Sequence, residues 1–308
     1  MSLAGLLAAV SSKPTTKIPP TNDPILAQIR PSGRSIAELT VKPSGGDFTT
    51  LADAAAAVGP IQAARMAAEG TQRVTPNYRV DIIVDPKPGG YVGNINVPQF
   101  SAWYGNGPRG SVYLQQDTAE PVPLLGVLAT NGLTYWEGID VIMLYQDVYI
   151  GGSPKYPVHG VNRRTSIYAS CTLDASPKGP TATPFGSDGV DGGTTLFYDL
   201  DFLGGNTNVH GEAATRVPQT AMYVDCRSPA GVINWNALNN VAVDELWVVG
   251  GDLYGVRLEG NASRLHLDPD TVIGAGGVVK PVGSQDANTS WPVPVGGLSA
   301  ADRAYYGL

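Results

Sequence analysis

Between residues 112 and 251 the chain repeats a short strand-like segment six times. The copies read VYLQQD from Val112, YWEGID from Tyr135, IYASCT from Ile167, LFYDLD from Leu196, MYVDCR from Met222 and LWVVGG from Leu246. Their starts are 23, 32, 29, 26 and 24 residues apart, the period of one solenoid coil with loops of variable length. Each coil then contributes a strand to one long parallel sheet, so the repeat predicts a stacked β-solenoid.

Composition agrees with that class. The 308 residues include 38 Gly and 25 Pro, and only 15% are charged, which favours short strands joined by turns over helical packing. The formal charge of −7 and the lack of a Lys/Arg cluster argue against a nucleic-acid partner, whose phosphates need neutralising. Leu3 to Val10 (LAGLLAAV) is apolar but too short to span a bilayer and lacks a basic flank, so neither membrane insertion nor a secretory signal is expected. With the polar, Pro-rich run from Ser11 to Arg34, it makes residues 1–36 an N-terminal docking arm.

The β-helix is expected over residues 37–275. It starts with a strand at Glu38 to Lys42, a turn at Gly45 and Gly46, and a helix capped by Thr49 or Thr50. A second helix from Ile61 to Glu69 follows, and residues 50–69 cover the open end of the first coil. Residues 276–308 form a Gly/Pro-rich tail with a short C-terminal helix near Ser299.

If side chains alternate through all six positions of the repeat, the carboxylates choose the phase. Asp199 and Asp225 at position four, with Asp140, Asp201 and Arg227 at position six, would be costly to bury unpaired and should face outward. Position two then faces outward as well. It is aromatic in every copy, as Tyr113, Trp136, Tyr168, Phe197, Tyr223 and Trp247. These rings are expected as an outer ladder that forms a subunit interface, is covered by a terminal segment or binds glycan. Glu137 is the misfit, falling in the inward phase. Asp199, Asp201 and Asp225, with Arg227 beside them, form the best acidic constellation on the outer face.

Cys171 and Cys226 share an inward column two coils apart, too far for a disulfide, and should be buried free thiols. His159, His210 and His266 stand singly, so no metal site and no cofactor are expected.

SGGDFTTLADAAAAV (Ser44–Val58), GGYVGNINV (Gly89–Val97) and the coil pattern to about residue 273 resemble the pectinesterase and pectin-lyase-like superfamily. The resemblance implies a mainly β fold, a right-handed parallel β-helix with an N-terminal capping helix and extended arms. In that family an aspartate nucleophile, an aspartate acid/base, oxyanion-binding glutamines and an arginine meet on the outer face of the sheet. Gln116, Asp117 and Thr118 resemble the acid/base segment, and Asp201 to Gly205 (DFLGG) the nucleophile segment. They fall on the first and fourth aligned copies, roughly 14 Å apart, and the family's Leu-Gly-Arg-Pro-Trp segment is absent. The catalytic set is thus incomplete and no catalytic residues are assigned. The chain instead resembles non-catalytic tail spike, fibre and minor tail proteins of tailed bacteriophages. That resemblance implies a homotrimer in the virion, joined to other virion proteins through the N-terminal arm and able to contact host glycan. The alternative is a secreted, carbohydrate-active β-helix enzyme, pectinesterase-like or a polysaccharide lyase.

Overall fold

The structure is a computed structural model that describes residues 18–32, 35–72, 74–120, 126–130, 133–144, 156–160, 166–179, 182–189, 193–205, 207–211, 219–237, 244–259 and 263–279. Every strand pairing among these residues is parallel. The chain is a right-handed parallel β-helix, as the coil-length repeat requires.

A front sheet of nine strands runs from Ala37–Val41 through Val80–Val84, Ser101–Gly105, Thr134–Glu137, Ser166–Ala169, Gly193–Tyr198, Gln219–Val224 and Asp244–Val249 to Ser263–Leu267. The second sheet has two faces. Tyr91–Val92, Tyr113–Gln115, Asp140–Ile142, Thr172–Asp174 and Asp201–Leu203 stack on one, and Ile95–Val97, Gly126–Thr130, Tyr156–Gly160, Phe185–Gly189 and Thr207–Gly211 on the other. Arg227–Ala237 joins them, since its first residue pairs with Asp201 and its last five with Thr207–Gly211. The last strand among the described residues, Val272–Val279, takes in the Gly-rich stretch GAGGVV, beyond the boundary at residue 275 suggested by composition.

A helix closes the N-terminal end. The hydroxyl of Thr50 accepts the amide of Asp53, and the helix (α2, Leu51–Glu69; the arm helix α1, Pro24–Ile29, precedes it) ends at Gly70 in the left-handed region, φ 68°. Leu51, Ala54, Val58 and Ile61 join the coil interior, while the Gln62 amide donates to the carbonyl of Gln99 at 3.0 Å. Two helices were expected here, yet one runs unbroken through Pro60. Val58 and Ile61, on either side of the proline, are both buried against the first coils, and this packing outweighs the hydrogen bond that proline removes.

The expected facing of the repeat is corrected. Position four of the copies from Ile167, Leu196 and Met222 is a left-handed residue: Ser170 at φ 49°, Asp199 at 52° and Asp225 at 51°, with Gly138 at 66° in the corresponding place one coil earlier. Amides hydrogen-bond from coil to coil through this corner, for example Ser170 to Tyr198 and Asp199 to Val224, both at 2.9 Å. The turn ends the front strand and begins the next face, so the two-residue alternation does not carry across it. Positions two and five therefore both point inward, and the outward Asp199, Asp225 and Asp201 leave position two buried; Asp140 at position six, expected outward, is itself buried.

Register moves two copies. Tyr113 pairs with Asp140 on the second sheet, so VYLQQD is not a front-sheet segment, and Met222 pairs with Trp247, shifting LWVVGG by one. The true inner column reads Leu39, Ile82, Trp103, Trp136, Tyr168, Phe197, Tyr223, Val248 and Leu267. Its rings stack, Tyr168 on Phe197 at 5.5 Å and Phe197 on Tyr223 at 4.6 Å. Cys171 and Cys226 lie in the adjoining inner column, buried and unpaired. Burial pushes the Cys226 thiol up to about 12 and Cys171 well above its ordinary value.

Candidate functional site

Outside the front sheet lies a second apolar column, one residue from the first: Ala102, Tyr135, Ile167, Leu196, Met222 and Trp247. Tyr104, Ala169, Tyr198, Val224 and Val249 stand beside it on the same face. Such a strip of rings and aliphatic groups cannot be left in water without inviting association. The arm covers it. Leu26 and Ile29 are buried on this face, and Ile18 and Ile25 pack at its edge.

The arm segment, hereafter the strap (residues 18–32), is fixed at both ends of α1. Asp23 caps the helix, one carboxylate oxygen accepting the amides of Ile25 and Leu26 at 2.8 and 3.1 Å, and its other oxygen accepts the Tyr198 hydroxyl at 2.6 Å. Arg30 closes the opposite end as a fork on Glu137, with Nε donating to Oε2 at 2.8 Å and Nη2 to Oε1. Tyr135 donates to the same carboxylate at 2.6 Å, and Arg30 Nη1 reaches the carbonyl of Pro19 at 2.6 Å. Burial first, then the Glu137 charge, pushes the Tyr135 hydroxyl far above its usual range, which keeps it a donor.

The spacing explains the fit. The seven residue steps from Asp23 to Arg30 rise about 10 Å at helical pitch, and the strands of Tyr198 and Glu137 lie two steps apart in the sheet, about 9.6 Å. The helix therefore lies along the stacking axis, with one anchor at each end. None of these contacts was predicted. The misfit of Glu137 was the available signal: its partner lay 107 residues away in the arm.

The acidic constellation is gathered in part. Asp199 at the corner and Asp201 on the next strand are clamped between two guanidinium groups. Arg109 donates to Asp199 Oδ2 and Asp201 Oδ2, both at 2.7 Å. Arg227 donates to Asp199 Oδ1 at 2.9 Å and to Asp201 Oδ1. All four carboxylate oxygens are thus engaged, and these bonds, to Asp201 foremost, raise the Arg227 pKa. Asp225 has an exposed side chain one coil further on. Asp140 is buried two strands before Asp201, accepts the Thr172 amide at 2.6 Å, and has its pKa raised chiefly by that burial. Arg109 comes from a loop outside the repeat, so no periodic pattern pointed to it.

The proposed aromatic ladder does not form a surface. Trp136, Tyr168, Phe197 and Tyr223 line the coil interior, Tyr113 is half-buried on the second sheet, and Trp247 sits beneath the covered front face, stacked on His266 at 3.9 Å. Asp117 follows Tyr113–Gln115, three strand steps from Asp201–Leu203 on the same face of the second sheet, so the two carboxylates remain apart as the repeat implied. No group of metal-binding side chains occurs among the described residues.

These features define a parallel β-helix whose front sheet is covered by its own N-terminal strap. No protein-family model and no curated protein sequence matches the chain. Among solved structures it is similar to pectin methylesterase from carrot, at 10% identity and a TM-score of 0.36, over 83% of this chain and 92% of that one. A likeness at that level transfers neither activity nor site residues.

Proposed function

We propose that the chain is an architectural virion component of a tailed bacteriophage, a tail spike, fibre or minor tail protein that acts as a homotrimer and carries out no catalysis. The observation that carries the non-catalytic reading is the ion network at the corner. A carboxylate held on both oxygens by guanidinium groups is neither a free nucleophile nor a ready proton shuttle, and Asp199 and Asp201 are both held in this way. The strap adds support for an architectural role, because the chain itself covers the apolar outer face of its front sheet. The phage assignment draws on the resemblance to tail proteins stated above and on the arm.

Sedimentation of the purified chain tests the reading, with three times the monomer mass as the expected result. A monomer that hydrolyses pectin-like methyl esters, and loses that activity on Asp201→Asn, would overturn it in favour of the carbohydrate-active alternative.

A further inference from the structure

A cavity of about 280 Å³ remains where the strap meets the front sheet. Ile29 and Pro31 form its wall on the strap side, and Phe100, Tyr135 and Ile167 form the wall on the coil side. Its polar neighbours are already served. The Ser101 hydroxyl donates to the Pro98 carbonyl at 2.7 Å and accepts the Trp103 indole N–H at 3.0 Å. Arg79 donates to Asp81 at 2.7 Å and to the Ser32 carbonyl at 2.8 Å, and Thr134 donates to Ser166 at 3.5 Å.

Chemistry narrows the occupant. The one cation among the described wall residues, Arg79, is paired with Asp81, so a charged ligand would enter without a counter-ion and lose its hydration. The wall hydroxyls of Ser101, Thr134 and Tyr135 already have partners and Ser32 is open to solvent, which removes most of the gain that a polar ligand requires. Apolar contact is what the walls offer, and size sets the scale: an apolar cavity of about 150 Å³ accepts benzene. We propose that this cavity is a binding site for a small uncharged apolar molecule of one or two fused rings. Because Ile29, Pro31 and Ser32 belong to the strap, the ligand completes contacts that exist only when the strap is docked. Occupancy therefore holds the cover down by linkage.

Indole is a suitable probe. Thermal unfolding of the full chain should shift upward by about 2–4 °C at tenfold saturation. Ile167→Trp, which fills the space, and Pro76→Trp, which blocks the exposed rim, should each retain the fold and lose the shift. Absence of any shift in the unaltered chain, or the same shift in Pro76→Trp, overturns the site. Pro76 is exposed, so that variant decides the matter even if Ile167→Trp does not fold.

Discussion

Two aromatic-rich columns stand one residue apart on the same strands, and they are buried for different reasons. The inner column, Trp103 to Tyr223, is sealed by the coil that contains it; no part of the chain can move aside to expose it without unwinding a turn. The outer column, Tyr135 to Trp247, is sealed by a strap whose helix is six residues long. A helix that short does not persist in water on its own, so its order comes from Leu26, Ile29 and the two polar anchors. Equal burial thus conceals unequal dependence: one column belongs to the global fold, the other to a local and separable contact.

Truncation inside and outside should divide the two cleanly. Phe197→Ala removes the ring that stacks on both Tyr168 and Tyr223 and should cost about 3–5 kcal/mol in global stability, read by denaturant unfolding. A loss no larger than that of Leu196→Ala, its outward neighbour, would erase the distinction. Arg30→Ala comes next. It leaves Glu137, whose side chain is 10% exposed, with a tyrosine hydroxyl and no cation, a change that costs about 3 kcal/mol in buried pairs. The coil can release that strain by letting the strap go, so the signature should be local: dye binding to the exposed front face and faster amide exchange in residues 24–30, with little change in the main transition. Pairing Arg30→Met with Glu137→Leu should restore protection, since an apolar pair needs no counter-charge.

The same contrast explains what could be read from sequence. Coil period, parallel stacking, a helical cap and the buried cysteines follow from local spacing and composition and are present, although the copy from Val112 lies on the second sheet and the cap is one helix where two were expected. The facing of the aromatic residues did not, because it depends on a backbone angle. Ser170, Asp199 and Asp225 adopt a left-handed conformation uncommon for residues with a side chain, and nothing in a two-residue alternation announces such a corner. Glycines at 138 and 250, in the equivalent place on other coils, were the visible hint. The strap and the ion network were less legible still, since Arg30 to Glu137 and Arg109 to Asp199 are contacts across 107 and 90 residues. A repeat constrains how coils stack and says little about what a terminus or a loop lays across them.

Smaller effects refine each side of the comparison. Tyr223 carries a buried hydroxyl with no hydrogen-bond partner, whereas Tyr168 bonds Thr130 at 2.7 Å and Trp136 bonds the Ile139 carbonyl at 2.7 Å. Tyr223→Phe should therefore be neutral or stabilise the fold by about 1 kcal/mol, while Tyr168→Phe should destabilise by a similar amount. If both changes destabilised equally, the Tyr223 hydroxyl would have to be satisfied after all. Arg109→Ala sits at the lower limit for the corner network: its partners are about a quarter to a third exposed, and a change of no more than about 1 kcal/mol is expected.

The smallest expected effect lies at the first strand of the outer column, where the face turns polar. Glu38 stands opposite Asp81 in the register, and one of its carboxylate oxygens is buried without a partner. Burial first, then the Asp81 charge, raises its pKa. The folded state then takes up a proton before the unfolded chain does as pH falls. This contribution to stability is complete below the ordinary glutamate value and is lost as pH rises through the raised one. Glu38→Gln carries the neutral form at every pH, so it should raise the neutral-pH melting temperature slightly and flatten the profile across the acidic window. Because the site is partly open to water, the gain should stay well under that of the core changes. An unaltered profile would place the Glu38 carboxylate in solvent, and the polar end of this column would then need no protonation to remain folded.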